Sequence, residues 1–238
     1  MDARFSIETL RATPNPQQAM WLAMHQDYSE DFVSDRLSRC PNETRSGELV
    51  ISRCLKFGHW GVAEHPTIIL NVGHFPHDTV MQLRTHRLAS FDVQSGRYTS
   101  QRIIDVTNGT RQLEEVFYFR PVGKYTNRQG AKYEYTDLAR ERDMAYCYQA
   151  AVYYRDKIEA GQSEEHARST IPFNLRQHFV LSCNARALMH FLDLRWKADA
   201  QLEAQWFSEL LFKEFRKWMP EIADWYLEQR GKKARLAP

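Results

Sequence analysis

Paired cysteines are missing from this sequence. Its four, Cys40, Cys54, Cys147 and Cys183, are scattered with no CxxC spacing, which argues against a disulfide framework or a zinc ribbon and suits a reducing compartment. Also missing is any run of about 18 apolar residues, so no membrane-spanning helix is expected. The opening MDARFSIETL carries charges where an export signal needs an apolar core, and a cytoplasmic location is the expectation. An excess of one charge is absent too: 32 Lys plus Arg stand against 30 Asp plus Glu, a formal +2, so bulk charge points to no partner, nucleic acid and membrane included. Repeats, low-complexity tracts and linker-like stretches are lacking. One domain over residues 1–238 is therefore expected.

What is present is core material. The apolar fraction is 43%, with 13 Phe, 11 Tyr and 6 Trp, enough large side chains to bury a sizeable interior without staples. Turn-rich pieces such as Thr13-Pro14-Asn15-Pro16 mark the first 45 residues, around a short helix at Pro16–Gln26. A helix is expected over Ser46–Phe57, closed by Gly58. Thr67–Val72 reads as a strand. Val80, Leu83 and Arg87, following Pro76, read as a helix with His86 and Arg87 at its end. Alternation over Glu114–Val122 suggests another strand. From Tyr135 the pattern turns helical: a long run through Ile158, a break at Gly161, a short helix from Glu164, a second helical region over Phe173–Leu194 broken near Ser182, and a last helix carrying Phe207, Leu211, Phe215 and Trp218. Pro220 interrupts that helix, and Gly231-Lys232-Lys233 reads as a frayed basic tail. The fold class is α+β, with helices dominating the C-terminal half.

Local clustering of charge says more than the total. His86, Arg87, Arg97 and Arg102 fall in one stretch, and Arg168, Arg176, Arg186 and Arg195 in another; if the two meet, they form an anion site. The segment from Gln82 to Tyr98 supplies guanidinium groups, an imidazole and a hydroxyl beside a glycine, where a helix end gives way to a loop. Arginine makes paired charge-assisted bonds to phosphate, and Ser95-Gly96 lets backbone N–H groups approach closely. A solvated basic loop has the same composition. Arginines interleaved with Tyr98, Phe117, Tyr118 and Tyr125 would also serve a nucleic-acid-binding module. His59, His65, His74, His77 and His86 raise a metal hydrolase, but Pro76 between His74 and His77 prevents a regular helix from setting a zinc pair, and no metal is expected.

The same segment resembles the signature of flavin-dependent thymidylate synthases, an Arg-His-Arg followed by seven residues and a serine. His86 and Arg87, then Leu88 to Gln94, then Ser95 reproduce that spacing, and Gly96-Arg97-Tyr98 continues it. Two further blocks match in order: Gly58-His59 with Glu64-His65, and a stretch that includes Arg168, Pro172, Asn174-Leu175, Asn184-Ala185-Arg186, Leu188-Met189, Leu194-Arg195 and Ala200-Gln201. The resemblance spans residues 46–206. It implies a curved sheet with helices, a homotetramer whose active sites are shared between chains, and methylation of dUMP to dTMP through bound FAD, with NADPH as reductant and methylenetetrahydrofolate as one-carbon donor.

Carried over by position, the resemblance gives Gln82, Ser95, Gly96, Arg97 and Arg168 to dUMP, and makes Arg195 the cation that contacts and polarises the uracil. Glu64, His86, Arg87, Asn184, Arg186 and His190 go to FAD, and His59 to the region where folate reaches the flavin. Each assignment has a plainer alternative: Asn184 as a helix cap, His59 and His65 as a turn and a core histidine, Arg186 and Arg195 as surface partners of Glu203 or Asp199. The sequence departs from the family at Thr85, where arginine is usual, and at Asp92, Val93 and Asp199. Arg84 cannot stand in for the missing arginine, since one helical position is about 100° of rotation.

Overall fold

Caps and prolines set most helix boundaries. In a computed structural model that describes residues 1–127 and 129–233, Pro16 occupies the first turn of a helix after Asn15, and Asn42 and Thr136 accept from the backbone N–H of Arg45 and Ala139 at 2.9 and 3.2 Å. In chain order the elements are β1 (Ser6–Ala12), α1 (Pro16–Asp27), α2 (Glu43–Arg53), β2 (Thr67–Pro76), α3 (His77–Leu83), β3 (Ser90–Val93), α4 (Gln101–Thr107), α5 (Leu113–Val116), β4 (Gly123–Thr126), β5 (Lys132–Tyr135), α6 (Asp137–Glu159), α7 (Glu164–Ala167), β6 (Arg176–Asn184), α8 (Ala185–Arg195), α9 (Leu202–Trp218) and α10 (Pro220–Gln229). Four strands hydrogen-bond in the order β1-β2-β6-β3, and β4 pairs antiparallel with β5. Strands and helices mix as an α+β fold.

The chain divides into two units. One comprises Met1–Phe5, Gly73–Leu83 and Asp92–Phe179. Its core gathers Ile103 and Val106 of α4, Val116 of α5, Cys147, Ala151 and Tyr154 of α6, Phe117 and Ala167. The other comprises Ser6–Val72, Arg84–Phe91 and the residues from Val180 onward. There Ile68, Leu70 and Val72 of β2, Leu188 and Leu192 of α8, and Phe207, Leu211 and Phe215 of α9 are buried. Spacings of four residues on α8 and α9 put those side chains on one face. Also on α8, Asp193 is buried and accepts from Tyr226 Oη at 2.9 Å and Arg230 Nη2 at 2.7 Å, fastening it to α10 and the residue after it.

Several expectations need correction. Residues 173–184 are not helical: Phe179, Leu181 and Cys183 are buried at alternate positions, the period of a strand, and the helix begins only where Asn184 caps α8. Residues 114–122 are not a strand. Glu115 folds back to accept from the Gln112 N–H at 2.9 Å and closes a helical turn, Val116 to Phe119 are all buried rather than alternating, and Phe117 makes only an isolated bridge with Leu175. Helix α3 stops at Leu83, so His86 and Arg87 lie in the turn before β3 rather than on a helix end. The strands β1, β3, β4 and β5 were not expected. Pro220 opens a new helix at its first position, and Gly58 does close a turn, at φ +84°.

Candidate active site

In the unit that carries α8, the sequence-selected side chains hold one another. Arg195, at the last turn of α8, donates from Nε to His86 Nε2 at 2.8 Å and from Nη2 to Thr85 Oγ1 at 3.3 Å. A nitrogen that accepts cannot carry the proton, so His86 is neutral with its proton on Nδ1. Burial, then the charge of Arg195, then His190 push His86 down to about 4. Its ring, 5% exposed, stands edge-on to His190 at 5.2 Å between centroids and tilted against Phe191 at 4.3 Å. Burial also lowers His190. The imidazole is thus a fixed acceptor that aims a half-buried guanidinium.

Arg186, on the first turn of α8, pairs with Glu64 at 2.5 Å. Asn184 Oδ1 accepts from the Ala187 N–H at 2.8 Å; the capping alternative is correct, and it leaves the side-chain amide for another partner. A cleft of about 490 Å³ is lined by Arg87, Ser90, Ser182 and Asn184 together with the apolar Ile69, Leu88 and Cys183. Arg87 is exposed and, among the described residues, forms no ion pair. The cleft offers hydrogen-bond donors beside an apolar wall, which suits an anionic group attached to a flat apolar body. Asp199 takes neither arginine among the described residues; it faces Lys197 at 3.4 Å. His59 and His65 are both exposed, so His65 is no core histidine, and His59 meets Tyr28 edge-on at 6.1 Å.

The other unit carries a different set. Ser95, Gly96 and Arg97 form a turn after β3, in which Tyr98 and Thr99 N–H groups donate to the Ser95 carbonyl at 3.0 and 3.1 Å. A methyl group at Gly96 would meet Arg168 Cδ at 3.4 Å, so that arginine lies directly against the glycine. Arg168 is exposed and, among the described residues, has no ion pair, while Arg97 pairs with the exposed Glu165 at 2.8 Å and lies over the Tyr98 ring at 5.5 Å. The two arginine clusters of the sequence therefore do meet here, through Gly96 and Arg168. Gln82, at the end of α3, is half-buried in this same unit. A glycine turn flanked by two arginines presents backbone and guanidinium donors to a phosphate.

Sequence reasoning missed the contact of Thr85 with Arg195, having read Thr85 only as a departure. No local signal announces a bond between residues 110 positions apart.

A sequence profile for the family described as thymidylate synthase complementing protein matches residues 8–221. The flavin-dependent thymidylate synthases of Halobacterium salinarum and Haloarcula marismortui are each 30% identical to this chain, and each match covers 98% of it and 99% of the relative. Among solved structures, a UMP/dUMP methylase from Streptomyces cacaoi with bound 5-Br dUMP superposes with a TM-score of 0.74 at 24% identity, over 98% of this chain and 97% of that one. Thymidylate Synthase X from Helicobacter pylori, with FAD and dUMP, gives 0.67 at 21%, over 87% and 92%.

Proposed function

The chain belongs to the family of flavin-dependent thymidylate synthases, and from that premise we propose that it methylates dUMP to dTMP with methylenetetrahydrofolate as one-carbon donor and NADPH as reductant. One observation carries the chemistry: a single guanidinium, Arg195, is oriented from two sides by His86 and Thr85. When C5 of uracil attacks the one-carbon unit, negative charge grows toward the ring oxygens. A cation already fixed in place stabilises that charge without reorganising during the reaction. His86 serves by staying neutral, since an imidazolium could not accept from Arg195 and would repel it. The turn Ser95-Gly96-Arg97, with Arg168 and Gln82, binds the nucleotide.

The cleft lined by Arg87, Ser90 and Asn184 fits FAD: the unpaired guanidinium and the spare amide suit its phosphates, and Ile69 and Leu88 suit an aromatic ring. When bound, FAD supplies the hydride chemistry that no side chain of this chain provides. We assign Arg186 with Glu64, and His190 beside His86, to FAD as well, and His59 to the entry of folate. We place the protein in the cytoplasm as a homotetramer with shared sites; among the described residues no helix is long and apolar enough to cross a membrane.

The test is direct. Purified protein with FAD, dUMP, methylenetetrahydrofolate and NADPH forms dTMP, measured chromatographically. Arg195→Ala keeps the visible flavin spectrum and slows dTMP formation by about 10²–10³, the scale of a lost donor to developing charge. A yellow protein that oxidises NADPH without making dTMP would sink the substrate assignment while sparing the cofactor.

A further inference from the structure

The unit that contains α4 has a cavity of about 620 Å³ that no residue assigned to dUMP or FAD lines. His74 of β2 and His178 of β6 both line it and touch each other edge to face, with centroids 4.4 Å apart. His74 sits at φ +69°, in the left-handed region where a side chain is strained. Its carbonyl accepts from Arg176 Nη1 at 3.0 Å, and that guanidinium, 1% exposed, also donates from Nε to the Glu114 carbonyl at 2.8 Å. The unusual backbone is therefore held by a buried arginine, and the imidazole Nδ1 it presents is buried with no hydrogen-bond partner.

Arg102 of α4 reaches the same cavity. Its Nε is buried without a hydrogen-bond partner, and among the described residues its guanidinium forms no ion pair. The acidic side chains beside it are already engaged. Asp105 accepts from Gln101 Nε2 at 3.1 Å and pairs with Arg111 at 3.3 Å, and Glu115 caps α5. Arg102 was one of the clustered arginines of the sequence, and neither the nucleotide turn nor the flavin cleft uses it. Burial, then Arg111, push it down to about 10; burial, then His74 and Arg102, push His178 down to about 4. An unpaired, partly desolvated cation costs free energy that an anion would recover, and the neutral imidazoles can each turn one N–H toward that anion.

We propose that this cavity binds a phosphate monoester, with Arg102, His74 and His178 around the three terminal oxygens and the organic body in the remaining volume. Three donor groups lining one cavity can serve the three oxygens of a tetrahedral head better than the two of a planar carboxylate, and the volume lies within the range of small-molecule pockets, about 300–1,000 Å³. The site does not depend on the thymidylate reading, because it shares no residue with it.

Calorimetric titrations of protein loaded with FAD and dUMP, so that the nucleotide turn is filled, decide the matter with inorganic phosphate, phenyl phosphate and acetate as probes. Phenyl phosphate binds saturably and more tightly than inorganic phosphate, and acetate binds most weakly. Arg102→Gln weakens phenyl phosphate about tenfold to a hundredfold, the scale of a charge-assisted bond. Arg102→Lys, which keeps a cation and guards against simple misfolding of the first variant, retains part of the affinity. Both variants make dTMP at the wild-type rate without added phosphate. The proposal falls if wild-type protein gives no saturable heat with phenyl phosphate, if acetate binds as tightly, or if folded Arg102→Gln binds as well as wild type. Absence of dTMP synthesis in every protein would count against the thymidylate reading alone, since the titrations need no turnover.

Discussion

The two units equip their proposed ligands in opposite ways. Where the residues proposed for flavin lie, polar groups other than Arg87 are tied to one another before any ligand arrives: Arg195 to His86 and Thr85, Arg186 to Glu64, Asn184 to the start of α8. Where the residues proposed for the nucleotide lie, a glycine turn carries Arg168 with no ion pair among the described residues and Arg97 with an exposed one. The first arrangement fixes geometry; the second keeps charge available. Chemistry that depends on where a cation points benefits from the former. Capture of a phosphate needs only that unpaired charge meet it, because charge-assisted bonds tolerate a side chain that orders on binding.

The locked arrangement is tested most severely by acid. In the folded chain His86 titrates at about 4, against about 6.5 when unfolded. Above pH 6.5 the imidazole is neutral in both states and contributes no pH dependence. As pH falls from 6.5 to 4 the unfolded chain takes up a proton that the folded one refuses, so stability is lost, by about 3 kcal/mol from this residue. Urea unfolding at pH 7 and pH 4.5 reads the loss, and His86→Gln, which still offers an acceptor to Arg195, shows a shallower fall. Equal slopes in the two proteins would mean that His86 is not held neutral in the fold, and the contrast between the units would lose its basis.

The available-charge arrangement predicts a smaller effect of another kind. Arg168→Ala removes a charge-assisted contact of about 1.5–3 kcal/mol, so the KM for dUMP rises roughly tenfold to a hundredfold while flavin binding and thermal stability stay as they were. Removing an exposed cation without an ion pair breaks nothing inside the protein. A drop in stability with no change in KM would show that Arg168 supports the turn through its contact with Gly96 and leaves the nucleotide to others.

Legibility in the sequence followed the same division. Local periodicity and turn chemistry placed α1, α2, α6 and α9, because the opening proline of α1, the caps of α2 and α6 and the buried face of α9 each lie within one segment. Strand β6 was misread as helix because its apolar residues, Phe179, Leu181 and Cys183, run directly into the helical Leu188 and Leu192, and only the cap at Asn184 separates the two periods. The motif at His86–Arg97 could be recognised through its resemblance to the family signature, since its composition also fits a solvated basic loop. That His86 accepts from Arg195, that Gly96 rests on Arg168, and that His74 meets His178 join segments far apart in the chain, and no local pattern encodes such meetings. A sequence lists donors and acceptors; tertiary structure decides which are spent on each other and which are left for a ligand.

Thr85 is where that distinction makes its finest prediction. The sequence reading treats it as a departure from the family signature; in the fold it accepts from Arg195, with Oγ1 3.3 Å from Nη2. The bond is long and its oxygen exposed, so it is worth less than the one to His86, about 1 kcal/mol. Thr85→Val keeps the shape and removes the acceptor. If Thr85 helps aim the guanidinium, kcat falls about fivefold with the KM for dUMP unchanged, the pattern of an interaction realised in the transition state rather than in substrate binding. Thr85→Ser, which restores the oxygen, recovers the rate. If instead the valine variant raises KM and leaves kcat alone, Thr85 bears on substrate directly, and the other partners of Arg195, His86 among them, suffice to aim it.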